Sequence, residues 1–429
     1  MNIEVAVSCP LVAGVYLESS AYVQSPWSRA TARRFNLVPM PDASLRVRRF
    51  DPSTIGNMVE GIFGESEHAA RVRSLSSAVG GTMEAASTSI HLIGQGLARS
   101  MGISAKHATK QVDRLLSNEK FDVWDLLDPW VRHVVGNSDE ILVALDWTDY
   151  ARDGQTTIVA SRITSHGRAT PLVWKTHLKA DVTDGARNDF EDEILLRLLQ
   201  ILGTDIRVTV TADRGFGDTK LYEFLAREKW GFVIRFRGDV HVALREGGPI
   251  HDAAAWVAKN GRAKLHKNVY VTNRRVPLAG FVAVHAPDMK EAWCLATNRT
   301  DLPASTLVAM YGKRFSIEES FRDTKDPRYG LGLVDVRIKR PDRRDRLILI
   351  AAVAQALLTL LGAASEASGL DRTMKANTVT KRTHSLFRQG CFWYGCIPTM
   401  REEWFVRLMT EFDRIVREHA VHRCLLGLL

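Results

Sequence analysis

The sequence predicts an α/β fold in which a strand-rich central region lies between two helical regions. Apolar periodicity is helical from residue 52 to about 135, and short apolar or alternating segments typical of strands begin at residue 140. Amphipathic helices separate the later strands, which is the pattern of an α/β sheet. With 429 residues, the chain is long enough for two or three domains and a substantial core.

The composition is that of a basic globular protein. Apolar residues make up 45% of the chain, and 58 Lys and Arg residues oppose 49 Asp and Glu residues, which gives a net charge of +9. A basic surplus of this size favours a polyanionic partner such as nucleic acid. On charge alone, a merely soluble basic protein is the alternative.

The cysteines indicate a reducing cytosol, because five of them in so long a chain do not make a disulfide framework. The one candidate zinc cluster consists of Cys391, Cys396, His419, His422 and Cys424. Its spacing matches no common zinc pattern, so buried free thiols are the favoured interpretation.

No membrane partner is expected. The N-terminus lacks the basic start and cleavage site of a secretory signal. The most apolar run, 347–361, contains Gln355 and Thr359 and is too short to span a bilayer, so it predicts a buried helix. The sequence therefore predicts a soluble, cytoplasmic, nucleoid-associated protein.

Residues 91–116 have the pattern of a helix-turn-helix, in which Gly102 lies in the turn and Ser104 caps the second helix. Lys106, Lys110 and Arg114 recur at every fourth position of that second helix. Such a helix lies in the DNA major groove, which makes the three residues candidates for DNA binding. A helical pair with a solvated basic side is the alternative.

From residue 140 the predicted elements follow a defined order. They are three strands at 141–145, 156–164 and 169–178, a helix at 190–202, a strand at 206–211, a helix at 220–228 and a strand at 232–236. A last helix at 311–325 completes the element order of a ribonuclease-H-like domain. Alternating segments at 264–271, 276–284 and 292–297 predict a β-rich insertion before that helix.

Five regions follow from these patterns. They are a weakly ordered basic N-terminal segment (1–50), a helical DNA-binding domain (51–136), the ribonuclease-H-like domain (137–237 and 301–365), the β-rich insertion (238–300) and a C-terminal helical region (366–429). The basic clusters in the first 50 residues are interpreted as a solvated tail.

Four polar residues of the last helix form the pattern Tyr311-x2-Arg314-x3-Glu318-x6-Lys325. At about 100° per residue they fall within an arc of about 60° on one side of a continuous helix. A carboxylate among a guanidinium, an ammonium and a phenol suits a surface that binds phosphates and holds a metal ion. Glu319 and Asp323 lie outside the arc, so helical phase selects Glu318.

Asp146 and Asp213 each end a predicted apolar strand, where α/β folds place their ligands. The helix with Glu318 is expected to pack across these strand ends. Three converging carboxylates can hold two Mg²⁺ ions about 3.5–4 Å apart, with Mn²⁺ as the expected substitute, for phosphodiester chemistry. Each Asp taken alone is equally explained as a turn former, and Asp149 and Asp218 are close rivals.

Trp293 precedes the last helix and lies in the predicted insertion. A Trp beside a DNA end can stack on an unpaired base, which makes it a candidate for DNA binding. Taken as an isolated residue, Trp293 is more simply explained as part of the core.

Taken together, these residues resemble the bacterial DDE transposases of the insertion-sequence-four family. The resemblance rests on the order of the three carboxylates, on the Tyr-Arg-Glu-Lys signature and on the insertion before the Glu helix, and it covers roughly residues 90 to 410. Four phrases are similar to blocks of that family, namely Leu145-Asp146-Trp147-Thr148, Ala212-Asp213-Arg214-Gly215-Phe216, Leu295-Ala296-Thr297-Asn298 and His384-Ser385-Leu386-Phe387-Arg388-Gln389-Gly390.

The resemblance implies specific roles. The metal-binding catalytic residues would be Asp146, Asp213 and Glu318, and the phosphate contacts would be Tyr311, Arg314 and Lys325. The family cuts double-stranded DNA at inverted terminal repeats and joins the freed 3′ hydroxyls to target DNA, which implies a homodimer on paired ends. Some members form a DNA hairpin with a flipped base, for which Trp293 is the candidate. The alternatives are a non-enzymatic transposition inhibitor and a nuclease of the same fold without strand transfer.

Overall fold

A mixed β-sheet forms the centre of the fold in the computed structural model, which describes residues 50, 52–183, 185–422 and 426. Its strands are β1 (Glu140–Tyr150), β2 (Gln155–Ile163), β3 (Ala169–Leu178), β4 (Arg207–Ala212), β5 (Gly231–Phe236), β6 (His241–Ala243), β7 (His251–Asp252), β8 (Lys264–Val271), β9 (Val276–Val284) and β10 (Trp293–Thr297). They follow the order β3-β2-β1-β4-β5-β10-β9-β8-β6-β7. The prediction for residues 1–49 lies outside the described residues.

Helices surround this sheet. They are α1 (Pro52–Phe63), α2 (Ala69–Ala85), α3 (Ile90–Met101), α4 (Ala105–Ser117), α5 (Val123–Val135), α6 (Arg187–Leu202), α7 (Thr219–Arg227), α8 (Ala304–Gly312), α9 (Phe315–Lys325), α10 (Pro341–Ala367), α11 (Leu386–Cys396) and α12 (Glu402–His422). Helices α6 and α7 fall at the two places where the sheet needs a crossover between strands.

The first five strands occupy the region that was predicted as the ribonuclease-H-like core. Strand β1 pairs with β4, and β4 with β5, in parallel, whereas β1 and β2, and β2 and β3, pair antiparallel. The predicted strands and helices of this region are confirmed to within three residues at most ends, although β1 runs on to Tyr150. The result is a mixed α/β architecture compatible with a ribonuclease-H-like DDE domain.

The strands of 238–300 continue the same sheet. Strand β10 pairs antiparallel with β5, so that Cys294 lies opposite Phe236, and β9 and β8 follow. The three strands predicted here are confirmed. Strands β6 and β7 were not predicted. They have three and two residues, which is too short for an alternating pattern to be visible.

The turn between α3 and α4 has the predicted chemistry. Gly102 adopts a φ of 67°, and the Ser104 side chain accepts a hydrogen bond from the amide of His107. The two helices cross closely, because a Cβ on Gly94 would lie 2.2 Å from Thr109 Oγ1. Glycine therefore permits this helix pair.

Helix α10 is the buried helix that the sequence predicted, but it is longer than the apolar run. Among the described residues it is long and apolar enough to cross a membrane, yet 94% of its most apolar window is buried, as in a core helix. It packs against β3, α2, α11 and α12. A Cβ on Gly362 or Gly390 would come within 1.8 Å of a backbone oxygen on the other helix of the α10–α11 pair, so glycine at these positions lets the two helices touch.

The single helix predicted at 311–325 is wrong. Helix α8 ends at Gly312 and α9 begins at Phe315, and the amide of Arg314 donates to the carbonyl of Tyr311 at the tighter spacing of a 3-10 turn. Gly312 lowers helix propensity at this point. The helical phase that related Tyr311 to the other three signature residues therefore does not hold.

Candidate active site

Asp146 and Asp213 lie side by side at the end of the parallel pairing between β1 and β4. Leu145 and Ala212 are the last partners in that register, and the two aspartates are the next residues of each chain segment. Neighbouring strands are about 4.8 Å apart, so the two aspartates lie close together at the carboxyl end of this parallel pairing. Asp213 follows β4 as predicted, whereas Asp146 lies inside β1, which continues because it still pairs with β2.

Alternation along β1 directs every second side chain at α9. Ala144 packs with Ile317 of α9, and the Lys325 ammonium donates to Thr148 Oγ1 at 3.0 Å. Asp146 lies between Ala144 and Thr148 on the same side of the strand. The four residue steps from Ala144 to Thr148 span about 13 Å, and the eight steps from Ile317 to Lys325 span about 12 Å, so the strand and the helix match in length between their two contacts.

Arg314 connects the carboxylates of the strand and the helix. Its Nη1 lies 3.4 Å from Asp146 Oδ2, and its Nη2 lies 2.7 Å from Glu318 Oε1. The guanidinium is buried, with 6% of its side chain exposed, whereas 52% of the Glu318 side chain is exposed. We call this arrangement of Arg314, Asp146 and Glu318 the Arg314 bridge.

Asp146 lies within electrostatic reach of the other two carboxylates. Its pKa is raised to about 6, by burial first and by the negative charges of Asp213 and Glu318, while the charge of Arg314 and the hydrogen bond from the Trp147 amide lower it. Within the described residues, no three His, Cys, Asp or Glu side chains are placed to hold a metal ion as they stand. In this arrangement the Arg314 guanidinium links the carboxylates of Asp146 and Glu318.

Tyr311 lies in the core and not on the predicted polar surface. Its side chain is 1% exposed, and its ring meets Trp293 edge-on at a centroid distance of 4.8 Å. Burial raises the pKa of the Tyr311 hydroxyl, while the charges of Arg314 and Arg235 oppose that rise. The Arg314 guanidinium lies 5.9 Å from the centre of the Tyr311 ring, so this buried side chain packs near Arg314 from the core side.

Lys325 is held against the end of β1. Its ammonium also donates to the Asp149 carbonyl at 2.7 Å and lies 5.0 Å from the centre of the Tyr150 ring. Burial lowers the pKa of Lys325, and the charge of Asp149 opposes this. The sequence did not single out Tyr150, although its place in the alternation Ala144, Asp146, Thr148, Tyr150 was a usable signal.

An aromatic pair lies beside the Arg314 bridge. Trp293, the first residue of β10, is half-buried and tilts against Phe315 at 6.1 Å between ring centroids. Phe315 is 41% exposed, and the Arg314 guanidinium lies 4.8 Å from its ring centre. The sequence did not identify Phe315, whose signal was an apolar residue directly after a signature residue.

A second cluster joins the two aspartate segments from the other side of the sheet. Trp147 Nε1 donates to Glu191 Oε1 at 2.8 Å, and Arg187 donates to the same oxygen at 3.0 Å. The Arg187 guanidinium lies 5.2 Å from the Trp147 ring centre and 5.7 Å from the ring centre of Phe216, which lies in the segment after Asp213. Sequence reasoning missed this cluster, although a carboxylate at 191 on the apolar side of α6 was a signal.

The rival carboxylates have structural partners. Asp149 pairs with Lys179 at 2.7 Å, and Asp218 accepts a hydrogen bond from the amide of Lys220 as the N-cap of α7. Asp323 is buried and pairs with Arg168 at 2.6 Å, and Glu319 pairs with Arg322 on the surface of α9. These contacts explain the four residues without reference to a metal.

The basic side of α4 is exposed. Lys106, Lys110 and Arg114 all face solvent, while the opposite side of the helix is buried through Ala108, Val112 and Leu115. Helix α4 is attached to the start of α10, where Arg346 donates to the Leu116 carbonyl at 3.0 Å. This geometry fits both interpretations made from the sequence, a DNA-contacting helix and a solvated basic surface.

The cysteine cluster is only partly described. Cys391 and Cys396 are free thiols, and burial raises the pKa of Cys391 to about 12. A thiol with so high a pKa is an unreactive core residue. Cys424 and the His422 side chain lie outside the described residues.

Comparison with known families agrees with the geometry. A family model described as the transposase DDE domain matches residues 138–357, which is just over half of the chain. The chain belongs to the transposase DDE domain family. The match runs from β1 into α10 and includes the insertion strands and all three carboxylates. A comparison with curated proteins finds no match.

Family membership gives the coarse function. The protein is a transposase-type enzyme of the polynucleotidyl transferase and nuclease class, and its partner is DNA. DDE transposase domains generally use divalent metal ions. Carboxylate oxygens are the ligands that such hard ions prefer, so the three acidic side chains gathered here have the right chemistry.

Proposed function

We propose that the chain is a cut-and-paste transposase of the insertion-sequence-four family. It cleaves phosphodiesters at inverted terminal repeats and transfers the freed 3′ hydroxyls to target DNA. The observation that supports the proposal is how near three carboxylates, from distant parts of the chain, lie to one another. Asp146 and Asp213 are neighbours at the end of the β1–β4 pairing, and Arg314 links Asp146 to Glu318.

The same three carboxylates are proposed to bind two Mg²⁺ ions, or Mn²⁺ in their place. Mutual repulsion and burial raise the pKa of Asp146, and a divalent cation would relieve both effects. When bound, such ions activate a nucleophile and stabilise the leaving oxygen of a phosphodiester. Asp213 is already oriented, since its Oδ1 accepts a hydrogen bond from the Gly215 amide at 2.8 Å.

Arg314 and Lys325 are proposed to hold the phosphates around the scissile bond. The planar fork of Arg matches a phosphate in two places, and Lys adds a point charge. Tyr311 is proposed to position Arg314, because it is buried beneath the guanidinium. Trp293, with Phe315 beside it, is proposed to stack on an unpaired base at the DNA end.

Residues 90–117 are proposed to help recognise the ends through Lys106, Lys110 and Arg114. Their exposure on one side of α4 leaves them free to reach a DNA backbone or groove. Two ends must be joined to one target, so we propose that a homodimer assembles on a pair of them.

The direct test uses duplexes copied from the inverted repeats that flank the gene. Glu318→Gln should keep end binding and lose Mg²⁺-dependent cleavage, and Asp146→Asn should do the same. Glu319→Gln is the matched control, since Glu319 is the next residue of α9 and pairs with Arg322. Full cleavage by Glu318→Gln would refute the assignment.

Strand transfer needs its own assay. Pre-cut ends are offered together with supercoiled plasmid, and joined product is expected. Cleavage without joining would identify a nuclease of the same fold, and binding without cleavage would identify an inhibitor.

A further inference from the structure

The Arg314 bridge occupies one oxygen on each of two carboxylates that are proposed to bind metal. Glu318 Oε1 accepts from Arg314 Nη2 at 2.7 Å, and Asp146 Oδ2 lies 3.4 Å from Nη1. A guanidinium and a divalent ion are both positively charged, so at this short range they repel each other and compete for the two carboxylates. Asp213 differs, because its Oδ1 accepts from the Gly215 amide.

The position of Arg314 also favours exchange of partners. Its Nε is buried and has no hydrogen-bond partner among the described residues, so a donor of the fork is left over in this arrangement. An unpaired buried donor costs free energy that another acceptor would recover. The outer end of the bridge reaches solvent, since Glu318 is half-exposed and the ring of Phe315 lies open beside it.

We propose that Arg314 couples DNA binding to metal binding, which rests on the function proposed above. Without DNA, the guanidinium holds Asp146 and Glu318 and competes with a divalent ion. When a DNA end binds, one of its phosphates forms a bidentate pair with the Arg314 guanidinium. The two carboxylates are then free to bind the ion. The device keeps the nuclease chemistry weak until a DNA end is in place.

Coupling of this kind is reciprocal and is therefore measurable from both sides. In the native protein, a DNA end should tighten Mn²⁺ binding by about tenfold, and Mn²⁺ should tighten DNA binding by the same factor. The probes are Mn²⁺, counted through the electron paramagnetic resonance of the free ion, and a pre-cut end duplex, which has no bond left to cleave. This measurement requires no variant, and the absence of coupling would overturn the proposal.

Two substitutions separate the bridge from charge alone. Arg314→Lys keeps the positive charge but cannot span both carboxylates, and Arg314→Gln removes the charge. Both variants should bind Mn²⁺ about tenfold more tightly than the native protein without DNA, and should gain less than about twofold when the duplex is added. Tighter binding in Arg314→Gln alone would assign the effect to long-range charge and overturn the bridge.

The controls distinguish failure of this proposal from failure of the proposed function. Arg322→Gln removes a surface guanidinium of the same helix and should bind Mn²⁺ like the native protein. Asp146→Asn should lose most Mn²⁺ binding with or without DNA. If Asp146→Asn loses Mn²⁺ binding while Arg314→Lys behaves like the native protein, the metal site is supported and the coupling through Arg314 is refuted. If Asp146→Asn binds Mn²⁺ normally, the proposed metal site itself is wrong.

Discussion

Two groups of cations in this molecule were predicted to bind DNA, and the structure places them in opposite environments. Arg314 and Lys325 are buried or half-buried and already contact protein oxygens beside the carboxylates. Lys106, Lys110 and Arg114 face solvent along α4. Both groups consist of lysine and arginine, but the fold orients the first group, whereas the side chains of the second have no partner among the described residues.

This difference predicts different contributions to function. Oriented, desolvated charges act strongly on the reacting phosphate, because the surrounding protein screens them less than water does. Exposed lysines and arginines add affinity through release of counterions, which falls with salt and carries little geometry. Catalysis should therefore depend on the buried group, and salt-dependent affinity on the exposed group.

The largest effect is expected from Arg314→Gln. At saturating DNA, its single-turnover cleavage rate should fall by about 10²–10³, the range seen when one oriented donor to a developing charge is removed. Arg322→Gln, on the surface of the same helix, should cleave at the native rate. A rate within about threefold of native would place Arg314 outside the chemistry.

A large effect on affinity is expected from the triple substitution Lys106→Gln, Lys110→Gln and Arg114→Gln. The slope of log affinity against log salt should flatten by about 2.7, which is three phosphate contacts of about 0.9 each. A salt titration by fluorescence anisotropy measures it. Cleavage at saturating DNA should change far less than in Arg314→Gln, and an unchanged slope would support a merely solvated basic surface.

A smaller effect, on stability, is expected from Asp146→Asn in the absence of metal. The pKa of Asp146 is about 6 in the fold against 3.8 for an ordinary Asp, so the folded state binds the proton more tightly than the unfolded state. The contribution of protonated Asp146 to the free energy of unfolding is therefore lost as the pH rises from about 4 through about 6. At pH 8 the variant should be more stable by about 1–3 kcal/mol, and the gain should vanish at pH 4.

Chemical unfolding in a chelating buffer at the two pH values checks that sign. Asp149→Asn is the control, because Asp149 is exposed and pairs with Lys179. A variant that gains equally at both pH values would show that ionisation of Asp146 is not the cause.

The smallest effect on DNA affinity is expected from Lys325→Ala. The salt slope of DNA binding should flatten by about one contact, since one ammonium is removed. Lys325 is held by Thr148 and Asp149, so a modest loss of stability of about 1 kcal/mol should accompany it. An unchanged slope would mean that Lys325 does not contact a DNA phosphate and that its contacts with Thr148 and Asp149 are structural.

Much of the fold was predictable because its signals are local. Strands β3, β8 and β9 were predicted at both ends, since alternation over eight or more residues is a clear pattern. The cap at Ser104 and the turn at Gly102 followed from side-chain chemistry within three residues. Strands β6 and β7 were too short to carry such a pattern.

The membership of the candidate site stays a prediction from the sequence, and its arrangement was only partly predictable. The three carboxylates were found from their positions after apolar runs and from helical phase. The same phase argument misplaced Tyr311, because it assumed one helix through Gly312. The contacts of Phe315, of Tyr150 and between Trp147 and Glu191 depend on which elements pack together, so the local signals at these positions could not show what each residue contacts.

By itself, the sequence determined which side chains are candidates for the chemistry and in what order most of the strands and helices follow, because residue type, periodicity and turn chemistry are properties of short segments. Only the tertiary structure decided that Arg314 lies between Asp146 and Glu318 and that Tyr311 is buried beneath it. The physical reason is that these contacts depend on the registration of β1 against β4 and of α9 against β1, which packing across the whole domain determines.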